Sequence, residues 1–404
     1  MIVHGFAGND LYPARFGASQ RLLGLYRGLA RGHETHVLAQ VPNRHPGPVS
    51  LEVSGIRVRR ARAWYTAIAW RLERARLAPD AIVALAHDLA AGALRASLPG
   101  TPDVVIADLA LAGVLSEARG ALRVYHAHNV ELDHFRTAGP RVLGRGFWAQ
   151  VVRSIEARAC AAADLVTVTG ASDAERMHEE YGVPPARLLV IPNGYDETAV
   201  RPPSVEERSA ARAAFGFESD ETVALFLGSD VPHNRSALTE LLARGLPDAG
   251  TRVRVLVVGG VSRALAASHD ARIVSRPETD DLRTALHAAD VGLNPALSGS
   301  GSNVKLPTYL AAGLAVVTTP HGVRGYETLM DAVEIVPLEK FGVRLAAAPR
   351  GWHARGAAPP TALARHAWGA LGEHWGERLG ERVRARLGAA ATPPTADAPR
   401  EVRA

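Results

Sequence analysis

The chain has 404 residues, 47% of them hydrophobic, a single cysteine (Cys160) and a formal net charge of +5 at pH 7. This length predicts two domains with separate cores, and the lone cysteine excludes an internal disulfide and favours a reducing cytoplasm. No apolar run of about 18 residues predicts a transmembrane helix, and the dispersed basic residues favour anionic small ligands or lipids over nucleic acid.

The first half of the chain alternates short apolar strands with helical stretches. A strand is predicted at 2–6, directly after the first residue, which leaves no room for a secretion signal and again predicts a cytoplasmic protein. The next helix is predicted at 18–31, with Gly32 as its stop signal. Further strands are predicted at 35–39, 56–59, 104–107, 123–127, 165–169 and 188–191.

The densest basic region covers residues 57–76. A helix at 64–77 places Trp64, Ile68 and Leu72 on or near one face and arginines elsewhere. This pattern is typical of a helix that packs on its own sheet with a solvated basic side. It also suits a peripheral contact with the inner face of an anionic membrane, and both interpretations stay open.

The second half repeats the alternation of strands and helix-length segments. Continuous runs of Val, Ile and Leu predict parallel sheets covered on both faces, hence two doubly wound domains. Pro, Asn and Gly cluster between Pro192 and Pro203, where we expect the hinge. The predicted strands lie at 222–227, 253–258, 271–274, 291–294, 315–318 and 333–336. The predicted units are domains at 1–195 and 196–350, C-terminal helices at 351–387 and a disordered tail at 388–404.

The most informative segment is the run NPALSGSGSNVKLPTYLAAGLAVVTTPHG at 294–322. It leaves an apolar strand, passes through a glycine-rich turn and enters a helix predicted at 305–312. Such a turn offers backbone N–H groups and a helix dipole to an anion. The predicted ligand groups come from Ser298, Gly299, Ser300, Gly301, Ser302, Asn303 and Lys305. We interpret the turn as a diphosphate-binding loop, and a plain surface turn is the alternative.

The segment resembles the donor-binding signature of the family-four, GT-B-fold glycosyltransferases (glycosyl transferases group 1), from Pro295 through Gly301 and Lys305 to Val317. Weaker matches follow in the family's order: the first loop and helix at 12–21, His-Asn-Val-Glu at 128–131 and the linker at 191–196. The resemblance implies an α/β GT-B fold, with two doubly wound Rossmann-like domains facing across a cleft. The first domain takes the acceptor and the second the nucleotide-sugar donor. A C-terminal helix is expected to cross back onto the first domain.

The chain departs from the family pattern at several donor-binding positions. Ser300 and Thr308 stand where the family often has two glutamates, and a threonine lacks the bidentate reach of a carboxylate towards ribose. Ser229 and Asn234 replace an Arg and a Lys that grip the diphosphate in many relatives. We therefore expect Lys305 to neutralise the negative charge of the diphosphate. Arg235, Arg15 and Arg21 are the further candidate cations.

Candidate catalytic groups gather at two strand ends of the first domain. His126 and His128 share one side of the strand at 123–127, since side chains alternate along a strand. Glu131 follows them, and Asp108 ends the preceding strand; both are candidate bases for the acceptor. For each residue, a buried or capping role is the alternative. Gly17 is expected to face the ligand from across the cleft, and Arg276 lies where the family's nucleotide base usually sits.

These observations predict a hexosyltransferase-type glycosyltransferase that moves a sugar from a nucleotide-diphosphate donor to an acceptor. Retention at the anomeric carbon is implied by the resemblance. No Asp-x-Asp element stands at a strand end, so we expect metal-independent chemistry without a cofactor. The acceptor is left open among a lipid carrier, a glycan and a small metabolite. A non-catalytic sugar-nucleotide-binding subunit and a GT-B sugar-nucleotide epimerase are the alternatives.

Overall fold

The computed structural model shows a two-sheet α/β protein. It describes residues 1–14, 17–41, 45–62, 64, 67–68, 71–72, 75–79, 82–137, 139, 142–265, 270–277, 282–299, 301–347 and 361–391. Ser300, Arg15 and most of the predicted tail lie outside these residues. Among the described helices, none combines the length and the apolar character that a bilayer crossing requires.

The first domain is built on a sheet of eight described strands. These are β1 (Ile2–Ala7), β2 (Glu34–Val41), β3 (Ser50–Val53), β4 (Ile56–Arg62), β5 (Val104–Ala107), β6 (Leu122–His126), β7 (Leu165–Val168) and β8 (Leu188–Val190). Their order is β3-β4-β2-β1-β5-β6-β7-β8. β3 pairs antiparallel with β4, and the other pairs are parallel.

The second domain has a parallel sheet of six described strands. These are β9 (Thr222–Leu227), β10 (Val253–Val258), β11 (Ile273–Arg276), β12 (Val291–Asn294), β13 (Ala315–Thr318) and β14 (Glu334–Ile335). Their order is β11-β10-β9-β12-β13-β14. Strands such as β10, with the sequence VRVLVV, are buried along almost their whole length because helices cover both sheet faces.

Helices connect these strands and cover both sheets. They are α1 (Gly17–Ala30), α2 (Ile82–Leu89), α3 (Ala91–Ala96), α4 (Ala112–Ser116), α5 (Glu131–Thr137), α6 (Arg145–Ala162), α7 (Ala171–Tyr181), α8 (Val205–Phe215), α9 (Pro232–Glu240), α10 (Leu282–Ala288), α11 (Lys305–Ala311), α12 (Phe341–Ala346) and α13 (Trp368–Ala391). Shorter helical turns lie at Pro185–Arg187, Leu241–Gly245, Pro247–Ala249, Gly260–Leu265, Glu327–Ala332, Leu338–Lys340 and Thr361–His366. Local signals fix several ends: Ser204 and Glu207 form a capping box on α8, and Gly216 ends it in the left-handed conformation.

Both sheets are doubly wound, which confirms the predicted fold class. In the first sheet the winding reverses between β1 and β5, and in the second between β9 and β12. Loops that follow the two central strands of each sheet therefore leave the same carboxyl edge side by side, where open α/β sheets bind ligands. The carboxyl edges of the two sheets face each other. A Cβ on Gly17 at the start of α1 would lie 3.5 Å from Val304 of the second domain.

The long helix α13 crosses back and packs on the first domain. Trp368, Leu371, Trp375 and Leu379 join the core that α1 forms on the first sheet. The two helices approach closely because glycines face each other: a Cβ on Gly28 would lie 2.6 Å from the Cα of Gly372. The sequence prediction of a disordered tail from 388 is wrong at its start, since Gly388–Ala391 continue this helix.

The edge strand β3 was absent from the sequence prediction. Its exposed and half-buried residues, SLEV, give only a weak strand signal. Within the basic segment at 64–77, residues 65–66, 69–70 and 73–74 lie outside the described residues. Trp64 and Ile68 within it are exposed, at 66% and 44% of their surface.

Candidate active site

The switch point of the second sheet brings Lys305 and Asn234 together. Lys305 begins α11 after the loop that leaves β12, and Asn234 lies in the first turn of α9 after the loop that leaves β9. The Lys305 Nζ donates to Asn234 Oδ1 at 2.9 Å and lies 4.8 Å above the ring of Phe226. Asn234 is held in turn by bonds from its Nδ2 to Ser229.

The ammonium of Lys305 is a partly buried cation whose neighbours here are a neutral amide and an aromatic face. Burial lowers the pKa of Lys305 to about 8, and among the described residues no carboxylate opposes this shift. Desolvation disfavours a charged group, and a nearby opposite charge restores it. A negative charge beside Lys305 would therefore stabilise its charged form.

The glycine-rich loop before Lys305 is fixed by side chains beneath it. Gly299 and Gly301 have φ of 118° and 68°, a region that favours glycine. The buried Asn294, at the end of β12, accepts from Asn303 Nδ2 at 3.2 Å. Its own Nδ2 donates to Gly322 O at 2.8 Å, which ties this loop to the loop after β13. Tyr326 adds a bond from its hydroxyl to Asn303 O at 2.6 Å.

Arg324 supplies a second cation from the loop after β13. Its guanidinium donates to Gly299 O at 3.1 Å and to Gly301 O, and it contacts His321 Nε2 at 2.7 Å. Burial lowers the pKa of Arg324 and, together with the Arg324 charge, that of His321. The arginine thus holds the shape of the loop and adds positive charge beside it.

A cavity lies between these groups. Among its described lining residues there is no aspartate or glutamate. The polar lining comes from His233, Asn234, Ser298, Asn303, Lys305, His321 and Arg324. Burial, followed by the charge of Lys305, lowers the pKa of His233 to about 4, so this imidazole is neutral near pH 7. Two cations, with no acidic side chain among the described lining residues, favour an anion in this cavity.

On the first domain, Asp108 and His126 belong to a buried network. Asp108 accepts from Tyr26 OH at 2.7 Å and pairs with His126 Nδ1 at 2.5 Å. Arg21 Nε donates to His126 Nε2 at 2.9 Å, which places the ring proton of His126 on Nδ1. Both nitrogens of His126 are engaged, and Trp375 packs on its ring at a centroid distance of 4.8 Å.

His128 lies further out, where the two domains touch. Its ring centroid is 4.8 Å from that of His126, and the side chain is half-buried. A Cβ on Gly301 would come within 2.8 Å of His128 O, so the glycine-rich loop packs against this strand end. Glu131 begins α5, and its backbone N–H donates to the buried carboxylate of Glu156 at 3.0 Å.

Comparison with known families agrees with this geometry. A model described as Glycosyltransferase Family 4 matches residues 17–199, and one described as Glycosyl transferases group 1 matches residues 221–339. The first match lies in the domain with the eight-stranded sheet, and the second lies in the domain with the six-stranded sheet. The chain belongs to the group 1 glycosyltransferases. Its relatives include D-inositol 3-phosphate glycosyltransferases from Rhodococcus opacus, 35% identical over 29% of this chain, and from Mycobacterium bovis, 32% identical over 40%.

The matched regions are limited in length. They span about a quarter to a third of these curated relatives (26% and 35%). Solved GT-B structures align over nearly the whole chain and support its fold. Sucrose-phosphate synthase of Thermosynechococcus elongatus has a TM-score of 0.60 at 17% identity, covering 96% of this chain and 98% of that one. Trehalose 6-phosphate synthase of Burkholderia multivorans gives 0.63 at 13%, covering 98% and 99%. The Anabaena protein HepE, in complex with UDP and glucose, gives 0.60 at 13%, covering 96% and 100%.

Some predicted donor residues of this chain lie on the cavity and others do not. Ser298, Gly299, Gly301, Asn303, Lys305 and Asn234 line it. Arg235 pairs with the exposed Asp230, and Arg276 lies over Phe215 at the sheet edge. The hydroxyl of the buried Thr308 donates to Val304 O at 2.9 Å within its own helix. Gly17 faces α11 from the other domain, and Ser302 contacts the linker at Asn193.

The catalytic candidates also separate into two groups. Asp108 and His126 are at most 2% exposed, and the hydrogen bonds described for them join them to each other, to Tyr26 and to Arg21 in the first domain. Buried to this extent, they are enclosed in the first domain rather than exposed to the gap between the sheets. Arg21, a candidate diphosphate cation in the sequence, is 1% exposed and points into the same network. His128 and Glu131 are the partly exposed members.

Asp108, His126 and His128 place ligand atoms within 4.8 Å of one another, a spacing that a metal ion could use. The donor set argues against this role. Arg21 donates into one nitrogen of His126 and the other nitrogen faces Asp108, so His126 offers no free lone pair. The buried guanidinium would also repel a cation. The three residues fit a hydrogen-bonded network.

Sequence reasoning missed His321, Arg324 and the organising role of Asn294. The signal was present: His321 and Arg324 follow β13, which neighbours β12 in a parallel sheet. Loops after neighbouring parallel strands meet at one edge. The interpreted motif ended at Gly322, two positions before Arg324.

Proposed function

We propose that this chain transfers a sugar from a nucleoside-diphosphate donor to an acceptor hydroxyl, with the donor diphosphate bound between Lys305 and Arg324. The observation that carries the proposal is the cavity at the β9/β12 switch point, with its two cations and no acidic group among its described lining residues. A departing diphosphate develops negative charge, and donors placed in advance stabilise it without reorganising.

The same arrangement supports metal-independent chemistry. The charges that neutralise the leaving diphosphate belong to side chains of the protein, assisted by backbone N–H groups of the glycine-rich loop and the N-terminus of α9. Within this proposal, His128 at the domain contact touches the donor sugar or the acceptor. Retention at the anomeric carbon is proposed from family membership.

For the acceptor, we propose a small phosphorylated polyol or sugar. The curated relatives act, by name, on D-inositol 3-phosphate. The fold neighbours include a trehalose-phosphate synthase whose structure contains glucose-6-phosphate. These names favour a small phosphorylated acceptor over a lipid carrier or a polymer end. A cytoplasmic location, with or without a peripheral membrane contact, is part of the same proposal.

Thermal shift with a panel of nucleoside diphosphates and their sugars tests the donor site, since a ligand that binds only the folded state raises Tm. We expect a UDP- or GDP-sugar to raise Tm and Lys305→Met to remove most of that shift. Lys340→Met is the matched control, because Lys305 and the exposed Lys340 are the two lysines of the sequence. An equal shift in the Lys305 variant and the wild type refutes the assignment.

A non-catalytic sugar-nucleotide-binding subunit is the second candidate. It is favoured by the engagement of Asp108 and His126 within the protein and by the internal hydrogen bond of Thr308. The transferase and the non-catalytic subunit can be distinguished with the donor that raises Tm. The measurement is release of nucleoside diphosphate from this donor, with and without phosphorylated polyols. Turnover by the purified chain refutes the non-catalytic role. Tight binding without release across the panel refutes the transferase. A turnover that survives EDTA supports metal independence.

A further inference from the structure

The buried guanidinium of Arg21 is the centre of the contact between the first domain and the linker. Besides Nε to His126, it donates to Ile191 O at 2.7 Å, to Pro192 O at 3.0 Å and to Asn193 Oδ1 at 3.0 Å. No carboxylate pairs directly with it in the described contacts, so its charge is satisfied by these acceptors. Three consecutive linker residues are therefore fixed to the first domain by one side chain.

The orientation of the Asn193 amide follows from this contact. An arginine side chain has only donors, so Oδ1 of Asn193 must face Arg21 and Nδ2 must face the other way. On that other side, Nδ2 donates to Ser302 O at 2.7 Å and to Ser302 Oγ at 3.0 Å. Asn193 thus connects Arg21 in the first domain with the glycine-rich loop of the second.

Two glycine contacts show how closely the domains meet beside this amide. A Cβ on Gly301 would lie 2.8 Å from His128 O, and one on Gly170 would lie 3.0 Å from the Cα of Gly325. The glycine-rich loop is therefore both the wall of the cavity and the surface that touches the first domain. Any group that fixes the loop here fixes its cavity side as well.

We propose that Asn193, oriented by Arg21, is a positioning residue that holds the glycine-rich loop in its diphosphate-binding conformation without touching the ligand. Arg21 and Asn193 together form a bracket, which we call the linker bracket. Its role in ligand affinity rests on the proposed function, whereas its role in holding the loop does not. The linker bracket makes diphosphate affinity depend on a residue outside the cavity.

Hydrogen exchange of the ligand-free protein tests the loop-holding role directly. Asn193→Asp is the sharpest variant, because it keeps an acceptor for Arg21 and removes the donor to Ser302. We expect peptides covering 294–306 to exchange several-fold faster in Asn193→Asp and in Asn193→Ala, with the strands of both sheets unchanged. Thr198→Ala is the control: Thr198 is an exposed residue of the same linker and bonds only within it, to Asp196. Unchanged loop exchange in both Asn193 variants overturns the proposal.

Calorimetric titration with UDP and with GDP tests the consequence for affinity. Losing two partly buried hydrogen bonds that order the loop is expected to weaken binding about tenfold. Ser302→Ala, which removes one of the two, should weaken it less, and its effect should not add fully to that of Asn193→Ala. Lys305→Met serves as the ligand-contact comparator.

The outcomes separate this inference from the proposed function. If Lys305→Met loses affinity and both Asn193 variants keep it, the linker bracket is refuted and the donor site stands. If the wild type binds neither nucleotide, the proposed function fails, and the exchange measurement still decides whether the bracket holds the loop. Arg21→Lys should reproduce the fast loop exchange, because a lysine cannot make the fork of contacts to 191–193.

Discussion

Removing the charge of Lys305 should stabilise the ligand-free protein while abolishing its ligand response. Burial lowers the pKa of this group from 10.5 to about 8, a difference of roughly 3 kcal/mol against the charged form. The Phe226 ring and the Asn234 amide return part of that cost, since a cation over an aromatic face contributes about 0.5–2 kcal/mol. We therefore expect Lys305→Met to raise the free energy of unfolding at pH 7 by about 1 kcal/mol.

The pH dependence of this effect has a definite sign. The unfolded chain holds the lysine proton more tightly than the folded chain, so the folded state is penalised below about pH 8. As the pH rises from about 8 towards 10.5, the penalty disappears. The advantage of Lys305→Met should therefore shrink across that window. Lys340→Met, at an exposed position, should stay within about 0.5 kcal/mol of the wild type throughout.

The same pKa makes nucleotide affinity fall with pH. An anion at the cavity should raise the pKa of Lys305 again, so binding takes up a proton above pH 8. With a free-state pKa of about 8, affinity for UDP should fall about tenfold between pH 7 and pH 9. Lys305→Arg stays charged in this range, so it should lose this slope and reveal any titration of the ligand itself.

Two measurements check these statements. Urea unfolding of the wild type, Lys305→Met and Lys340→Met gives the differences in stability. Calorimetry of the wild type and Lys305→Arg across pH 7–9 gives the dependence of UDP affinity on pH. Since the sequence has only two lysines, carbon-13 methylation also gives a direct NMR titration of Lys305. Equal slopes in the wild type and Lys305→Arg, or an ordinary lysine titration at Lys305, would refute the reasoning.

Two other perturbations test the packing and the cavity charge. Gly28→Ala should destabilise the protein by about 1–3 kcal/mol in urea unfolding, because its Cβ would meet the Gly372 backbone at 2.6 Å. Gly32→Ala, with no atom within 4 Å of its Cβ, is the control, and equal effects would contradict close helix packing. Arg324→Gln should weaken UDP binding about tenfold or more, whereas Arg235→Gln, whose partner is a surface aspartate, should leave it within about twofold. If Arg235→Gln weakened UDP binding more than Arg324→Gln did, the second cation would have been misidentified.

Much of the fold follows from the sequence because its central strands are short, mostly apolar runs. β5, β9, β10, β12 and β13 have the bounds that the apolar runs predict. The pattern is strong wherever helices bury both faces of a parallel sheet. β3 lacks this apolar pattern because it is an edge strand whose residues are exposed or half-buried.

The donor loop was predictable and its supports were not. Glycines that need positive φ, together with a lysine at a helix start, are local features visible in the chain. The contacts that shape the loop come from Arg324, Asn294 and Asn193, and the last of these lies more than 100 positions away from its partner Ser302. The order of strands in the sheets decides which distant residues come into contact, and a single sequence does not reveal that order.

The catalytic candidates illustrate the opposite error. Alternation correctly placed the rings of His126 and His128 side by side, 4.8 Å apart, but it carries no information on depth. Arg21 reaches His126 from α1 and Trp375 packs on it from α13, so a residue that looks available in the sequence is enclosed in the fold. Exposure at a strand end depends on neighbours supplied by distant segments.

The returning helix α13 makes the first domain a discontinuous unit. Trp375, with no surface exposed, is encoded almost two hundred positions after the last strand of the sheet that it covers. A fragment cut at the linker would leave a hydrophobic trough open on one piece and an unpaired tryptophan-bearing helix on the other. The amino-terminal half should therefore remain incomplete during synthesis until the ribosome has released the helix at Trp368–Ala391.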